Sequence, residues 1–289
     1  MASLEESYSY CRALTEGHYE NFPVASFLAP KDKRKYIYSI YAFARRADDI
    51  ADSAGFESHL KLNALDDMEE LLDSSLSGHY PADDDTEKIF RALVNTINEL
   101  SIPDIEFRKL LKAFRQDCVK SKYETLTELL EYSDNSANPV GHLVLNVFGY
   151  ERNKDTDLFK LSDKICTALQ LTNFWQDVSI DLAMSRIYIP TEIMLKFGYY
   201  ENMLFGKVEN DDFRRMMSEL VTITQNLFNE GKVLSGRVNG RLKYELRATV
   251  KGGERILRKI RRINYGVLSE RVKINKFDKL SILTSSLIG

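Results

Sequence analysis

Apolar residues return every three or four positions through most of this 289-residue chain, and only 14 glycines and 6 prolines interrupt it. That spacing matches the 3.6-residue turn of an α-helix, while the alternation expected of a half-buried strand is nearly absent, so the fold class is all-α. Helices are expected over 3–19, 31–54, 57–77, 85–100, 104–120, 125–149, 156–184, 211–236 and 240–268. Breaks fall at Asn21-Phe22-Pro23, His79-Tyr80-Pro81, Ile102-Pro103 and Ile189-Pro190, because the residue before a proline is driven out of helical backbone. The acidic run Asp83 to Asp85 reads as a helix start, its carboxylates at the positive end of the helix dipole. The apolar-poor stretch 199–212 reads as a surface loop. With 44% hydrophobic residues the chain can bury a large core, and with no internal repeat a single domain over 1–289 is expected, a large helical bundle.

Forty basic residues against 43 acidic leave a net charge of −3, which gives no basis for a nucleic-acid partner. Cys11, Cys118 and Cys166 are odd in number, widely spaced and without metal-ligand spacing, so they read as packing residues in a reducing compartment. The first residues, MASLEESYSYCRAL, are acidic where a signal peptide is basic, and no run of about 18 apolar residues occurs. A cytoplasmic protein is expected, at most peripheral to the inner membrane face. Ile256, Ile260 and Ile263 lie among the cations of Arg255 to Ile263. That stretch reads first as a packing helix with a solvated basic face, and second as a support on an anionic membrane.

Two acidic clusters sit where a helix gains nothing from them. Asp48 and Asp52 follow Ile40-Tyr41-Ala42-Phe43-Ala44-Arg45, and Asp177 and Asp181 close the segment that begins Gln170-Leu171-Thr172-Asn173-Phe174-Trp175. Each pair is four residues apart, hence on one helical face, where like charges repel. A single such pair reads as a surface feature; two, both within apolar helices, call for a compensator. The natural one is a hard dication such as Mg²⁺, which bridges one or two carboxylates to phosphate oxygens. Arg45 lies one turn before Asp48 and Arg186 five residues after Asp181, each a donor suited to diphosphate, and Gln170 and Asn173 add amides to the second face. Opposed Asp-rich helices would clamp a diphosphate between metals, as ionisation of an allylic or cyclopropylcarbinyl diphosphate requires.

At these residues the chain resembles the squalene/phytoene synthase family, over nearly its whole length. The resemblance is carried in order by Phe22 with Leu28-Ala29-Pro30, Ile40 to Arg45 leading into Asp48-Asp49-Ile50-Ala51-Asp52, Val140-Gly141, Gln170 to Asp181, and Arg186-Ile187-Tyr188-Ile189-Pro190. It implies a single-domain isoprenoid-synthase-type helical bundle with a central cavity, acting on an isoprenoid diphosphate with two or three Mg²⁺ ions. By that resemblance Asp48, Asp52, Asp177 and Asp181 are metal ligands, supported by Asn173 and Gln170. Tyr41, Arg45, Arg186, Tyr188, Tyr265, His18 and Phe22 are diphosphate or substrate contacts. Functional coupling to upstream and downstream squalene-pathway enzymes follows from the same resemblance.

Departures from the family pattern point to one branch. Asn21-Phe22-Pro23-Val24-Ala25-Ser26, Ala137-Asn138-Pro139-Val140-Gly141 and Phe174-Trp175-Gln176-Asp177 look like the hydroxysqualene-forming branch, which ionises presqualene diphosphate and lets water capture the rearranged cation. Asn135 stands where squalene synthases carry a tyrosine implicated in the first half-reaction, Gln176 lacks the usual arginine charge, and His142 stands where the branch more often has arginine. Neutral Asn135 or Asn138 suits the holding of a water near a cation, making both catalytic candidates. NADPH is not expected. The alternatives are a condensing synthase of the same fold, making presqualene diphosphate, squalene or phytoene, and a helical binding protein without chemistry. Trp175 and Phe174 read as core before cation contacts, Tyr123 as core before cavity lining, and Arg115 with Asp117 as a surface ion pair before a cavity network.

Overall fold

The computed structural model of the chain describes residues 2–17, 30–53 and 55–288. His18 and Phe22 lie outside the described residues. Among those described the protein is all-α, without strands and with one isolated bridge between Lys122 and Ile187. No helix among them is long and apolar enough to cross a membrane. In chain order the helices are α1 (Leu4–Gly17), α2 (Lys31–Ala51), α3 (Ser58–Leu76), α4 (Asp84–Leu100), α5 (Ile105–Val119), α6 (Leu126–Ser136), α7 (Asn138–Val147) and α8 (Thr156–Ala183). There follow α9 (Thr191–Lys196), α10 (Glu201–Phe205), α11 (Asp211–Gly231), a 3₁₀ turn (Lys232–Gly236), α12 (Leu242–Arg262) and α13 (Lys276–Ile288). They form two compact units, Met1–Val119 with Pro139–Phe159, and Lys120–Asn138 with Lys160–Gly289. Each unit draws on two separate stretches, which is why no shift of composition marks a boundary between them.

In the first unit α2 packs against α1, α3, α4 and α5. Its centre is Phe43, fully buried, with its ring edge-on to Phe90 (5.9 Å between centroids) and Phe107 (5.4 Å). The acidic run starts α4 as expected: the Asp83 carboxylate accepts from the Thr86 N–H at 2.9 Å, and Asp84 and Asp85 occupy the first turn. Cys11 is buried in this core, and burial pushes its thiol up to about 12, leaving it inert at neutral pH. The Arg115 guanidinium reaches Asp66 and Glu69 of α3, each at 2.7 Å. His142 is buried with its Nδ1 3.0 Å from the buried Glu106 carboxylate, which also takes Arg152 at 3.1 Å.

The second unit is built on α8, α11 and α12. Trp175 is fully buried and donates from Nε1 to Thr224 Oγ1 of α11 at 2.8 Å, a packing role. α12 lies close on α11 because Gly253 carries no side chain: a Cβ there would stand 2.3 Å from Cζ of the buried Phe228.

Four sequence expectations are corrected. The helix expected over 125–149 breaks at Ala137, between Ser136 and Asn138, because Pro139 has no N–H to donate to the Asn135 carbonyl and its ring crowds the turn before it. The supposed surface loop at 199–212 contains α10 and buries Tyr199 and Leu204 completely. The helix expected to reach 268 ends at Arg262, since Asn264 and Tyr265 take left-handed backbone (φ 50° and 61°). α13 lies beyond the last helix expected from the sequence, its apolar period covering only Phe277 to Leu287.

Candidate active site

In the first unit, α2 brings Tyr41, Arg45 and Asp48 onto one face. Asp52 falls one residue past the last helical residue and caps the helix, so its carboxylate stands at the negative end of the dipole, a placement that repels an anion and welcomes a cation. The Arg45 guanidinium contacts Asp48 Oδ2 at 3.3 Å and Asp49 Oδ1 at 2.5 Å. Tyr41 is buried and lines an otherwise apolar cavity with Ile37, Ile40, Ala44, Leu110, Val140, Leu143, Val144 and Val147. The arrangement is a charged end followed by an apolar slot.

In the second unit, Gln170, Asn173, Asp177 and Asp181 share one face of α8. The helix then ends in a Schellman closure: Arg186 N–H donates to Asp181 O (2.8 Å) and Ser185 N–H to Leu182 O (3.0 Å), with Ser185 left-handed at φ 59°. That reversal folds Arg186 back beside Asp181. The following residues are fixed by Ile187 N–H to Ser121 O (2.7 Å) and Thr191 N–H to Tyr123 O (3.0 Å). Asp181, Arg186, Tyr188 and Phe174 thus line one small cavity with Val178, Leu182, Ile187, Ile189 and Leu204. Phe174 stacks on Tyr188 at 3.8 Å between ring centroids, Tyr188 on the fully buried Tyr123 at 5.8 Å, and Tyr132 leans on all three. Tyr123 therefore joins the aromatic wall behind the cavity.

Burial first, and then the Asp177 carboxylate, pushes the Asp181 carboxyl up to about 7, against the pull of Arg186 and Arg271. Arg271 is the residue that the sequence reading missed. It grips Asp177 with both arms, Nε to Oδ1 at 2.6 Å and Nη2 to Oδ2 at 2.9 Å. No local spacing links residues so far apart, and the only signal was a cation within a generally basic C-terminal stretch. Gln176, in place of an arginine, donates its amide to the Val272 carbonyl at 2.8 Å and so anchors the backbone beside Arg271.

Asn135 and Asn138 differ in freedom. Asn138 is buried, its amide donating to Asp134 (2.6 Å) and its carbonyl accepting from Thr167 (3.1 Å). Asn135 donates to the Glu131 carbonyl of its own helix at 3.0 Å. The Tyr265 hydroxyl pairs with Ser218 of α11 at 3.0 Å.

All the candidate ligands present hard oxygens. Among the described residues no three His, Cys, Asp or Glu side chains form a ready-made metal cage. Carboxylates in pairs are what Mg²⁺ uses where waters and substrate phosphates complete its shell, so these residues fit that ion.

The squalene/phytoene synthase family model matches residues 15–278. The chain is 33% identical to a hydroxysqualene synthase of Zymomonas mobilis, covering 95% of this chain and 89% of the relative. It is 27% identical to a 15-cis-phytoene synthase of Synechococcus elongatus, covering 100% and 94%. The crystal structure of the squalene synthase HpnC of Alicyclobacillus acidocaldarius superposes with a TM-score of 0.84 at 38% identity, covering 91% of this chain and 95% of that one. The chain is a member of the squalene/phytoene synthase family.

Proposed function

We propose that this protein is a Mg²⁺-dependent hydroxysqualene synthase, converting presqualene diphosphate and water to hydroxysqualene and diphosphate. The observation that carries the reading is the end of α8: two carboxylates one turn apart, ringed by Arg186 and Arg271 and backed by the stacked Phe174 and Tyr188. The likeness in sequence to hydroxysqualene synthases supports the choice of branch, as does Asn135 in place of a tyrosine.

Mg²⁺, held at Asp177, Asp181 and Asn173 and at Asp48 and Asp52, would neutralise the diphosphate as it leaves. The chain's own residues do the rest. Arg186 and Arg271 donate to diphosphate oxygens, and their fixed forks favour the charge that develops on the departing group. The C–O bond breaks with its electron pair going to diphosphate. Phe174 and Tyr188, stacked on one another along the cavity wall with Tyr123 packed behind them, give the resulting cation an electron-rich aromatic neighbour without a strong nucleophile. Asn135 positions water, whose oxygen forms the new C–O bond and whose proton passes to solvent or diphosphate. The balance needs no hydride, so NADPH has no place in it. The apolar slot of the first unit, beside Tyr41, has the lining that a prenyl chain requires.

A second reading, a condensing synthase, is favoured by the likeness to phytoene synthases. Incubation of purified protein and Mg²⁺ with farnesyl, geranylgeranyl or presqualene diphosphate, followed by mass analysis of extracts, separates the two. Consumption of presqualene diphosphate alone, giving a C30 alcohol without NADPH, is expected; condensation of farnesyl or geranylgeranyl diphosphate would replace this reading by the second.

A further inference from the structure

Helix α13 is amphipathic in the inverted sense. A helix added to a protein ordinarily turns its apolar side inward and its charges to water. Here Phe277, Leu280, Leu283 and Leu287 recur at three- and four-residue steps along one stripe and are 84, 62, 43 and 56% exposed. The helix's one acid, Asp278, is instead 6% exposed.

The inversion is held in place by α12. Arg255 donates to Asp278 Oδ1 at 3.2 Å and to Ser281 Oγ at 3.3 Å, Lys259 pairs with Asp278 and donates to the Lys273 carbonyl at 2.8 Å, and Lys251 donates to the Ser285 carbonyl. Asn275 caps the helix start by accepting from the Asp278 N–H at 2.8 Å. The polar side of α13 is thus spent on α12, and the apolar stripe can only face outward. Lys276 and Lys279 are exposed, Lys276 at the N-terminal end of the stripe and Lys279 on its flank, and no acid of α13 accompanies them outside. The basic stretch suspected from the sequence behaves differently: Ile256, Leu257 and Ile260 are buried, and its Arg255 and Lys259 face α13.

We propose that α13 is an interfacial membrane helix, its Phe277–Leu280–Leu283–Leu287 stripe entering the headgroup boundary of an anionic phospholipid bilayer while Lys276 and Lys279 meet the lipid phosphates. Exposed leucines and a phenylalanine supply the apolar insertion, and the two exposed lysines, with the one acid of the helix turned inward, supply the charge complementarity. Thirteen residues are too short to span a bilayer, so the helix lies in the plane of the interface. The inference is independent of which reaction the protein catalyses.

The test is co-sedimentation of the full chain with phosphatidylglycerol-containing vesicles and with phosphatidylcholine vesicles, using the parent protein, Leu280→Ser/Leu283→Ser and Lys276→Glu/Lys279→Glu. All four positions are exposed, so helical content by circular dichroism should be unchanged. The parent should partition onto anionic vesicles in preference to neutral ones. The leucine variant should lose about tenfold or more in partition to both, and the lysine variant about tenfold on anionic vesicles alone. Absence of parent binding, or binding equal in all three proteins, would overturn the proposal. So would a lipid-free dimer in sedimentation equilibrium that the leucine variant dissolves, for the stripe would then be covered by a second copy.

Discussion

Arg271 holds both oxygens of Asp177, so a dication arriving at Asp177 and Asp181 must share those oxygens with a guanidinium or turn it toward the incoming diphosphate. The second outcome suits a substrate that brings its own anionic oxygens. Arg271→Ala should therefore raise KM for presqualene diphosphate while leaving the fold intact, and Asp181→Asn should lower kcat/KM by about a hundredfold or more, as loss of a group facing developing charge does. Steady-state kinetics on both variants check this; wild-type values in Asp181→Asn would remove that carboxylate from the chemistry. Gln176 acts one step further back, through the Val272 carbonyl. Gln176→Leu keeps the volume and loses the hydrogen bond, so kcat/KM should fall by about tenfold with little change in Tm. In a double-mutant cycle its effect should vanish once Arg271 is already alanine. Additive effects would mean that Gln176 does not work by positioning Arg271.

Legibility followed the distance over which each element is determined. The aspartate pairs could be found in the sequence because four-residue spacing on a helix is a local property, and the start of α4 because Asp83 to Asp85 satisfy N–H groups within one turn. Arg271 and the Val272 carbonyl reach α8 through tertiary folding, which no local period encodes. Ser185 lies between these cases. Arg186 was singled out by its spacing from Asp181, but the reason for the spacing is the left-handed residue between them, and serine does not announce that conformation as glycine would. Ser185→Gly should fold at least as stably as the parent and keep its activity, since glycine adopts φ 59° without a Cβ penalty. Ser185→Val should lose about 1–2 kcal/mol and lower kcat/KM by displacing Arg186. If the valine variant matched the glycine variant in both urea melts and kinetics, the turn would not control Arg186. Gly253 is a packing case of the same kind: Gly253→Ala must push aside a ring with no room to move, costing about 1–3 kcal/mol in chemical denaturation.

At the scale of the folded molecule, the group that most distinguishes native from unfolded chain is Glu245 of α12. It is 4% exposed, its Oε2 finds no hydrogen-bond partner among the described residues, and burial pushes its carboxyl up to about 8. In the unfolded chain the same group titrates near 4.3. Between those values the native state keeps a proton that the unfolded state gives up, so unfolding releases a proton and is favoured as pH rises. The stability of the second unit, which contains α12, should therefore be unaffected by this group below about pH 4, fall by about 1.4 kcal/mol per pH unit above it, and level off past pH 8. Glu245→Gln removes the proton but keeps the shape. Its buried amide carries a cost of its own, about 1–3 kcal/mol, which is the same at every pH, so the slope rather than the intercept carries the information. Urea denaturation from pH 5 to 8.5 should show the parent losing about 4 kcal/mol relative to Glu245→Gln across that range. Parallel stability curves for the two proteins would mean that Glu245 is ionised and solvated in the native state, and that α12 opens around it.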